Sequence, residues 1–334
     1  MKHYIAAALL TTAVTSLAAP ASAEDAICYN CPPQWADWAS MLTAIDDKLD
    51  IQMPHDNKNS GQTISQLLAE RAAPVADVAY YGVTTGIKAG NEDIVEAYKP
   101  AGFEDIPEGL KDPEGKWFAV HYGTLGFFVN VDALGGAPVP QCFADLTKPE
   151  YNGMVGYLDP SSAFVGYAGA VAANMAFGGD LTNFDPAIKY FNDLGKNNPI
   201  VPKQTSFARV VSGEIPILFD YDFNAYRGKY EEEGNFEFVL PCEGSVRVPY
   251  VMGLVKNSPN PELGKRVLDY ILSDEGQAIW TNAYLNPARP IELPAEIAGK
   301  FLPASEYARA AAVNYADMEK AQAGFGERYL SEVK

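Results

Sequence analysis

Short apolar runs alternate with stretches of helical periodicity along nearly the whole chain. Residues 35–49 place Trp38, Leu42 and Ile45 on one helical face, and residues 76–80 read as a short strand. This alternation predicts an α/β fold. Further strands are predicted at residues 51–53, 117–120, 126–130, 153–158, 215–219, 236–240 and 250–255, and further helices at residues 63–71, 166–177, 186–194 and 207–211.

Two β-rich stretches that contain glycine, residues 122–130 and 236–251, are predicted to be crossings between two parts of the molecule. The chain between them forms a self-contained α/β stretch. A chain that enters a second unit and later returns predicts two discontinuous lobes joined by two extended strands. Lobe one comprises residues 24–128 and 245–334, and lobe two comprises residues 129–244.

The N-terminus has the pattern of an export signal. Lys2 provides a positive charge, residues 5–17 form an apolar run, and Ala21-Ser22-Ala23 matches a small-residue cleavage site. The apolar run is too short to span a bilayer, and no later segment is long and apolar enough. We therefore expect cleavage after Ala23 and export of a soluble, monomeric protein to the periplasm, in preference to an uncleaved anchor.

The four cysteines are interpreted in the light of this export, since an oxidising compartment favours disulfides. Cys28-x-x-Cys31 could be a structural disulfide, a redox-active pair or half of a zinc site. The structural disulfide is favoured, because the three histidines are scattered and no thioredoxin-like frame surrounds the pair. Cys142 and Cys242 then form the second pair, although three connectivities are formally possible.

The charge of the chain narrows the possible partners. Lys and Arg total 25 and Asp and Glu total 43, which gives a net charge of −18. Such acidity argues against nucleic acid and anionic membranes as partners. It does not require a cationic ligand, since surface carboxylates also serve solubility.

Enzyme motifs are missing from the sequence. It contains no Gly-x-Ser-x-Gly elbow, no phosphate-binding Gly-x-x-x-x-Gly-Lys loop and no Gly-x-Gly-x-x-Gly. We expect no enzymatic activity and no cofactor. An exported hydrolase that uses a pair of carboxylates stays open as an alternative, although no specific pair stands out.

Polar side chains recur where a predicted strand ends and a helix begins. In open α/β sheets ligands bind at this edge, where helix N-termini offer unpaired N–H groups to anions. Each cluster alone could be an ordinary helix cap. The candidate ligand-binding residues of this kind are Asn57, Asn59, Ser60, Tyr81, Ser161, Ser162, Gln204, Thr205 and Ser206.

A denser cluster of polar residues lies at 219–227, after a predicted strand. Its carboxylates and amide, Asp220, Asp222 and Asn224, are candidates for binding an amine or a cation. Arg227 could form a salt bridge with Asp222 or contact an anion. The alternative is a solvated helix start in which an aspartate acts as the N-cap.

The chain resembles the extracellular solute-binding proteins of bacterial ABC importers, in the family 1 branch that binds ferric iron, thiamine, polyamines, sugar phosphates or phosphonates. The resemblance is carried by residues 250–262, which contain Lys-Asn-Ser-Pro-Asn-Pro-Glu, and by residues 268–277, a helix near whose end Gly276 is predicted to interrupt the helical pattern. Shorter matches follow in the order of the family at residues 76–78, 122–124, 159–161 and 212–215.

The resemblance implies a type II-like clamshell that closes by hinge motion on a solute in the cleft between the lobes. It also implies that Tyr29 and Asn30 line this cleft beside a Cys28–Cys31 bridge, and it adds Tyr122 and Thr124 to the candidate ligand-binding residues. The implied partners are the solute and the permease subunits of the importer.

Iron-binding members of the family carry adjacent tyrosines after the second-lobe strand, and residues 220–226 contain no such pair. A metal site is therefore not expected. We expect a small polar organic solute with a phosphate, phosphonate or carboxylate head and an additional amine; a polyamine or ferric iron is the alternative within the same fold.

Overall fold

The computed structural model describes residues 24–203, 206–293, 295–311 and 313–334. Its α-helices are α1 (Trp38–Leu49), α2 (Ser60–Ala69), α3 (Val83–Asn91), α4 (Phe164–Ala176), α5 (Asp185–Gly195), α6 (Phe207–Val211), α7 (Asp222–Glu231), α8 (Pro261–Leu272), α9 (Asp274–Asn282), α10 (Ala295–Ala298), α11 (Ala304–Tyr307) and α12 (Tyr315–Glu332). The strands are β1 (Glu24–Asp25), β2 (Cys28–Tyr29), β3 (Ile51–Gln52), β4 (Val78–Gly82), β5 (Val95–Glu96), β6 (Phe118–Asn130), β7 (Val155–Gly156), β8 (Ile217–Tyr221), β9 (Phe236–Val239), β10 (Ser245–Val255), β11 (Asn286–Pro287) and β12 (Ala310–Ala311).

Most strands join one sheet in the order β2-β4-β10-β6-β8-β7, while β5 and β12 pair with β10, and β9 and β11 pair with β6. Helices pack on this mixed sheet, which confirms the predicted α/β class. Strand β10 lies between β4 and β6 and is antiparallel to both.

Strand β6 runs without interruption for 13 residues, where the sequence predicted two strands. Its first half pairs with β10 and its second half pairs with β8 and β9. Gly123 and Gly126 do not break the strand; they allow close approach of its neighbours. A Cβ atom on Gly126 would come within 2.5 Å of the Val239 carbonyl oxygen.

The helix pair α8 and α9 corrects a second expectation, because the helical run is interrupted at Ser273 and not at Gly276. Ser273 has extended backbone angles, and its hydroxyl accepts the N–H of Gly276 at 3.1 Å. A serine at the N-cap starts a new helix in this way. Gly276 lies in the first turn of α9, where an added Cβ would be 2.1 Å from the Tyr270 carbonyl oxygen.

Both predicted disulfides, Cys28–Cys31 and Cys142–Cys242, are present. The first joins Cys28 of β2 to Cys31 in the segment between β2 and α1. The second links the loop after β9 to the start of a 3-10 helix, Phe143–Thr147.

Helix α12 contacts structure on both sides of the crossing strands. Gln322 accepts a hydrogen bond from Thr84 of α3 at 2.6 Å, and the Met318 carbonyl accepts one from Tyr167 of α4 at 2.7 Å. The predicted lobe boundaries remain a prediction, and α12 would lie against both lobes. No helix in the described part of the chain has the length and apolarity needed to cross a membrane.

Candidate functional site

Two loops face each other across a narrow cleft. The loop before α2 contributes residues 57–60 and the loop before α4 contributes residues 158–163. The cleft has a volume of about 50 Å³. Its lining consists of Asn30, Pro32, Trp35, Asn57, Lys58, Asn59, Ser60, Leu158, Ala163, Phe164, Val165 and Tyr250.

The cleft continues outward into a groove of about 1200 Å³. Asn57, Lys58 and Asn59 line both spaces, and Ser161 and Ser162 line the outer one. Six of the predicted ligand-binding residues thus line the cleft or its outer groove, namely Asn30, Asn57, Asn59, Ser60, Ser161 and Ser162. Tyr29 lines neither space but contacts Lys58.

Helix N-termini from both sides of the cleft point their positive ends towards it. The N-terminus of α2 carries a reciprocal cap, in which Asn59 accepts the N–H of Gln62 and the Gln62 side chain accepts the N–H of Asn59. The N-terminus of α4 follows Ala163 and has no side-chain cap. Its first N–H groups are therefore left for another acceptor, and the helix dipole favours an anion there.

The two sides of the cleft touch at two glycines. A Cβ on Gly61 would lie 2.8 Å from the Ser162 carbonyl oxygen, and a Cβ on Gly82 would overlap the Phe164 ring at 1.8 Å. A side chain at either position would displace Ser162 or Phe164, so the two sides of the cleft are in direct contact.

Lys58 lies at the cleft and was not among the predicted site residues. Its ammonium forms an ion pair with Asp56 and lies 4.5 Å from the centroid of the Tyr29 ring. Burial lowers the pKa of this lysine. The sequence does contain a signal for this residue, since Lys58 is the single cation in a polar loop. The prediction for that loop considered only its amides and its hydroxyl.

Tyr29 and Asn30 support this wall through internal hydrogen bonds. The Tyr29 hydroxyl donates to Glu70 at 2.8 Å, and burial together with Glu70 raises its pKa to about 12. Asn30 has a φ of 65° and its side-chain amide donates to the Tyr80 carbonyl at 2.9 Å. Asn30 lines the cleft, while Tyr29 positions Lys58.

Aromatic side chains form the inner wall of the cleft. No pattern in the sequence predicted this wall. Trp35 lies against Phe223 and Tyr250, with ring centroids 5.4 Å and 5.7 Å away. Tyr250 also contacts Phe164 edge to face at 5.7 Å. These rings come from segments remote in sequence, so no local pattern reveals the wall.

Asp222, together with Thr124, lies away from the cleft lining. Its carboxylate is buried and accepts the N–H groups of Thr124 and Phe223, both at 2.9 Å, and the Tyr307 hydroxyl at 3.0 Å. These three donors tie α7 to β6 and to the segment around Tyr307. Burial raises the pKa of Asp222 to about 7.

Asp220 and Asn224 form a second buried group. The Asn224 amide donates to both carboxylate oxygens of Asp220, at 3.1 Å and 3.0 Å, and the Tyr221 N–H donates at 2.8 Å. Burial raises the pKa of Asp220 to about 7. Ser206 is also buried, whereas Gln204 and Thr205 lie outside the described residues.

Tyr81 and Tyr122 are placed elsewhere. Tyr81 is fully buried, close to Gly86 and Gly253, and its hydroxyl has no hydrogen-bond partner in the described part of the chain. Its neighbour Tyr80 points to the opposite face, towards Trp35. Tyr122 lines a separate groove behind the crossing strands.

Three tyrosines that could serve as iron ligands, Tyr81, Tyr221 and Tyr226, lie in buried surroundings. Burial raises the pKa of the Tyr81, Tyr221 and Tyr226 phenols, which disfavours the phenolate that iron binds. The Tyr226 hydroxyl is also 2.7 Å from the Tyr307 hydroxyl. Among the described residues, the group of potential metal ligands at Cys142, Cys242 and Glu243 contains two disulfide sulfurs.

Comparison with known proteins gives a consistent result. A family described as bacterial extracellular solute-binding protein matches residues 73–321. A Salmonella typhi protein named "Putative 2-aminoethylphosphonate-binding periplasmic protein" is 26% identical over 270 residues, which cover 73% of this chain and 77% of that protein.

Solved structures share the fold. The periplasmic binding protein AfuA from Actinobacillus pleuropneumoniae, with fructose-6-phosphate bound, superposes with a TM-score of 0.77 at 24% identity, covering 92% of this chain and 98% of AfuA. Iron-bound HitA from Pseudomonas aeruginosa gives a TM-score of 0.72 at 20% identity, covering 91% and 98%. Two-lobed periplasmic binding proteins are thus the structural neighbours of this chain.

Proposed function

The chain belongs to the bacterial extracellular solute-binding proteins, which deliver a solute to an ABC importer, and we propose that its solute is a small organic phosphonate or phosphate that carries an amine. The proposal rests on one observation above all: Lys58 and the N-termini of α2 and α4 converge on the cleft between the two sides.

The anionic head would lie between these helix N-termini, with Lys58 as its counter-ion. Helix dipoles and unpaired N–H groups favour an anion at such a position. Lys58 is only 21% exposed and its pKa is lowered, so an incoming anion would replace lost hydration. Asn57 and Asn59 add amide donors beside it.

The amine would lie against the aromatic wall. Trp35 and Tyr250 line the cleft on its inner side, and the face of an indole or phenol ring attracts an ammonium group. The sequence predicted Asp220 and Asp222 as the amine ligands. We assign this role to the aromatic wall instead, because internal donors already occupy both carboxylates.

The name of the Salmonella typhi relative supports the same class of solute. A polyamine is disfavoured because it carries no anionic group for Lys58 and the two helix N-termini, and ferric iron is disfavoured by the raised phenol pKa values. We further propose that the protein is monomeric, is cleaved after Ala23, acts in the periplasm without catalysing a reaction, and docks on the permease subunits of its importer.

Native mass spectrometry of protein purified without refolding identifies a retained solute. Isothermal titration with 2-aminoethylphosphonate, inorganic phosphate and putrescine then ranks the classes, and the phosphonate is expected to bind most tightly. Lys58→Gln should weaken phosphonate binding about tenfold or more, whereas Lys196→Gln, on the surface of α5's C-terminal end, should not. Tighter binding of putrescine than of the phosphonate would contradict the proposal.

A further inference from the structure

A second groove, the hinge groove, lies behind the crossing strands. It has a volume of about 800 Å³, within the range typical of small-molecule sites. Tyr122 of β6 and Arg247 of β10 line it, and so does the start of α12 at Tyr315. It shares no lining residue with the cleft or its outer groove.

Arg247 differs from the other arginines of the chain. The sequence contains eight arginines, and seven form ion pairs: Arg71, Arg209, Arg227, Arg266, Arg289, Arg309 and Arg328. The Arg247 guanidinium forms neither an ion pair nor a hydrogen bond with any residue that the structure describes. In a chain of net charge −18, an unpaired guanidinium in a concave site is a notable exception.

Other donors in the hinge groove are also unused. The Tyr122 hydroxyl and the Trp117 indole N–H make no hydrogen bond within the described ranges. Burial raises the pKa of Tyr122 and the nearby Arg247 charge opposes this effect, so the phenol stays a neutral donor close to the guanidinium. The N-terminus of the 18-residue helix α12 does not add to these donors, because the Asn314 side chain accepts the N–H groups of Ala316 and Asp317.

Carboxylates in the hinge groove do not satisfy these donors. Asp112 accepts the backbone N–H groups of Glu114 and Lys116, at 3.0 Å and 3.1 Å. Glu108 is exposed at the rim. Neither forms an ion pair with Arg247.

The rest of the lining is suited to an apolar body. Ile87, Leu110 and Val313 are partly buried hydrophobic residues that line the groove, and the Trp117 ring lies beside them. An apolar surface with a few convergent polar groups is the usual composition of a site for a small organic ligand.

We propose that the hinge groove is a second binding site, for an organic anion that joins a carboxylate to an aromatic or aliphatic body. The carboxylate binds the Arg247 guanidinium and the Tyr122 hydroxyl, and the apolar body packs against Trp117 and Leu110. Tyr122 and Arg247 lie on the two crossing strands, where Arg247 is opposite Thr124 and Tyr122 is opposite Pro249, so the bound carboxylate would bridge β6 and β10.

The test uses the mature chain and 2-naphthoate as the probe, with the uncharged 2-naphthamide as its matched control, both by isothermal titration. One naphthoate should bind per chain, and saturating 2-aminoethylphosphonate should not displace it. Arg247→Gln should weaken naphthoate binding about tenfold or more, as expected for the loss of a charge-assisted contact. Arg209→Gln, which removes an ion-paired guanidinium in lobe two, should leave it unchanged.

Tyr122→Phe removes only the hydroxyl and should weaken naphthoate binding severalfold, which keeps the test decisive even where Arg247→Gln lowers the melting temperature. Equal binding of naphthoate and naphthamide would overturn the proposal, as would full affinity in both variants or displacement by the phosphonate. Failure of phosphonate binding in the wild type bears only on the proposed function, because the two sites share no residue.

Discussion

The Tyr80 hydroxyl and Nε2 of His121 lie 2.7 Å apart in the interior of the sheet. The Trp35 indole N–H donates to the same hydroxyl at 3.1 Å. Nδ1 of His121 has no hydrogen-bond partner in the described part of the chain, so a protonated ring would carry a buried and uncompensated charge. Its ring stacks on Tyr250, with centroids 5.5 Å apart.

This arrangement predicts a pH-dependent stability. Burial lowers the pKa of His121 from 6.5 to about 3, so the unfolded state binds a proton below about pH 6.5 while the folded state does not. The contribution to the free energy of unfolding is complete above pH 6.5 and is lost as the pH falls towards 3. The loss approaches about 1.4 kcal/mol per pH unit.

Chemical denaturation of the wild type and of His121→Phe at pH 5, 6 and 7 measures this contribution. Asp220 and Asp222 also titrate abnormally, but they are present in both proteins and cancel in the difference. The wild type should lose stability relative to the variant on acidification. Parallel curves would show that His121 does not carry the effect.

Gly61→Ala should impair closure of the cleft without destabilising the fold. The new methyl group would come within 2.8 Å of the Ser162 carbonyl oxygen across the cleft, and a backbone atom cannot move aside cheaply. Alanine is favoured over glycine within a helix by up to about 1 kcal/mol, so the melting temperature should hold or rise. Solute affinity should fall, and small-angle scattering should show a more open molecule.

Gly324→Ala is the matched control, since an added Cβ at this exposed position of α12 meets no atom within 4 Å. It should gain similar helix stability without any change in affinity. Undiminished solute affinity in Gly61→Ala would contradict the closed arrangement of the two loops.

The double variant Ser161→Ala with Ser162→Ala tests the lobe-two side of the cleft. The Ser161 hydroxyl donates to Asp159 at 2.6 Å and Ser162 is exposed, so the fold should survive. Loss of polar contacts to the solute should weaken binding by a few-fold to about tenfold per contact. Ser40→Ala, at an exposed position of α1 that does not line the cleft or its outer groove, is the control, and equal affinities in both proteins would remove these serines from the site.

Removal of the Cys142–Cys242 disulfide should destabilise the protein more than removal of Cys28–Cys31. The first bridge joins residues 100 apart and the second residues three apart. Loop entropy in the unfolded chain predicts a loss of about 2–5 kcal/mol for the long bridge. Paired Cys→Ala variants, compared by urea denaturation, measure both; a larger loss for the Cys28 pair would reverse this ranking.

Asp222→Asn should lower the free energy of unfolding. The carboxylate accepts three internal hydrogen bonds, and replacing one oxygen with an amide leaves a donor facing a donor, at a cost of about 1–3 kcal/mol. Asp93→Asn, which removes an exposed ion pair with Lys256, should change stability far less, because solvent screens exposed charges. Equal denaturation midpoints for the wild type and Asp222→Asn would show that the hydrogen bonds to Asp222 do not stabilise the fold. Loss of cation binding in Asp222→Asn would support the predicted role of Asp222 as a ligand.

The sequence was informative where local pattern decides structure. Alternating periods predicted the sheet and its helices, and the export context predicted both disulfides. The polar loops before α2 and α4, which the sequence offered as candidates, line one cleft in the structure, because capping residues and helix N-termini are encoded within a few positions.

The features that the sequence did not predict also have physical reasons. The aromatic wall at Trp35, Tyr250 and Phe164 is assembled from three distant segments, so no window of sequence contains it. Asp220 and Asp222 had the composition of a ligand site, but burial and donors from the surrounding backbone satisfy them internally. Whether a strand continues through Gly126 or breaks there depends on its neighbours, which sequence spacing does not specify.

The position of β10 also sets an order of events during synthesis. β4 and the first half of β6 each take β10 as a neighbour, yet Thr124 is opposite Arg247, a residue that the ribosome adds 123 positions later. The predicted second lobe, by contrast, is a single continuous range, residues 129–244. Pairing across such separations is slow. The sheet formed by β4 and the first half of β6 therefore lacks its middle strand until residue 255 has been made.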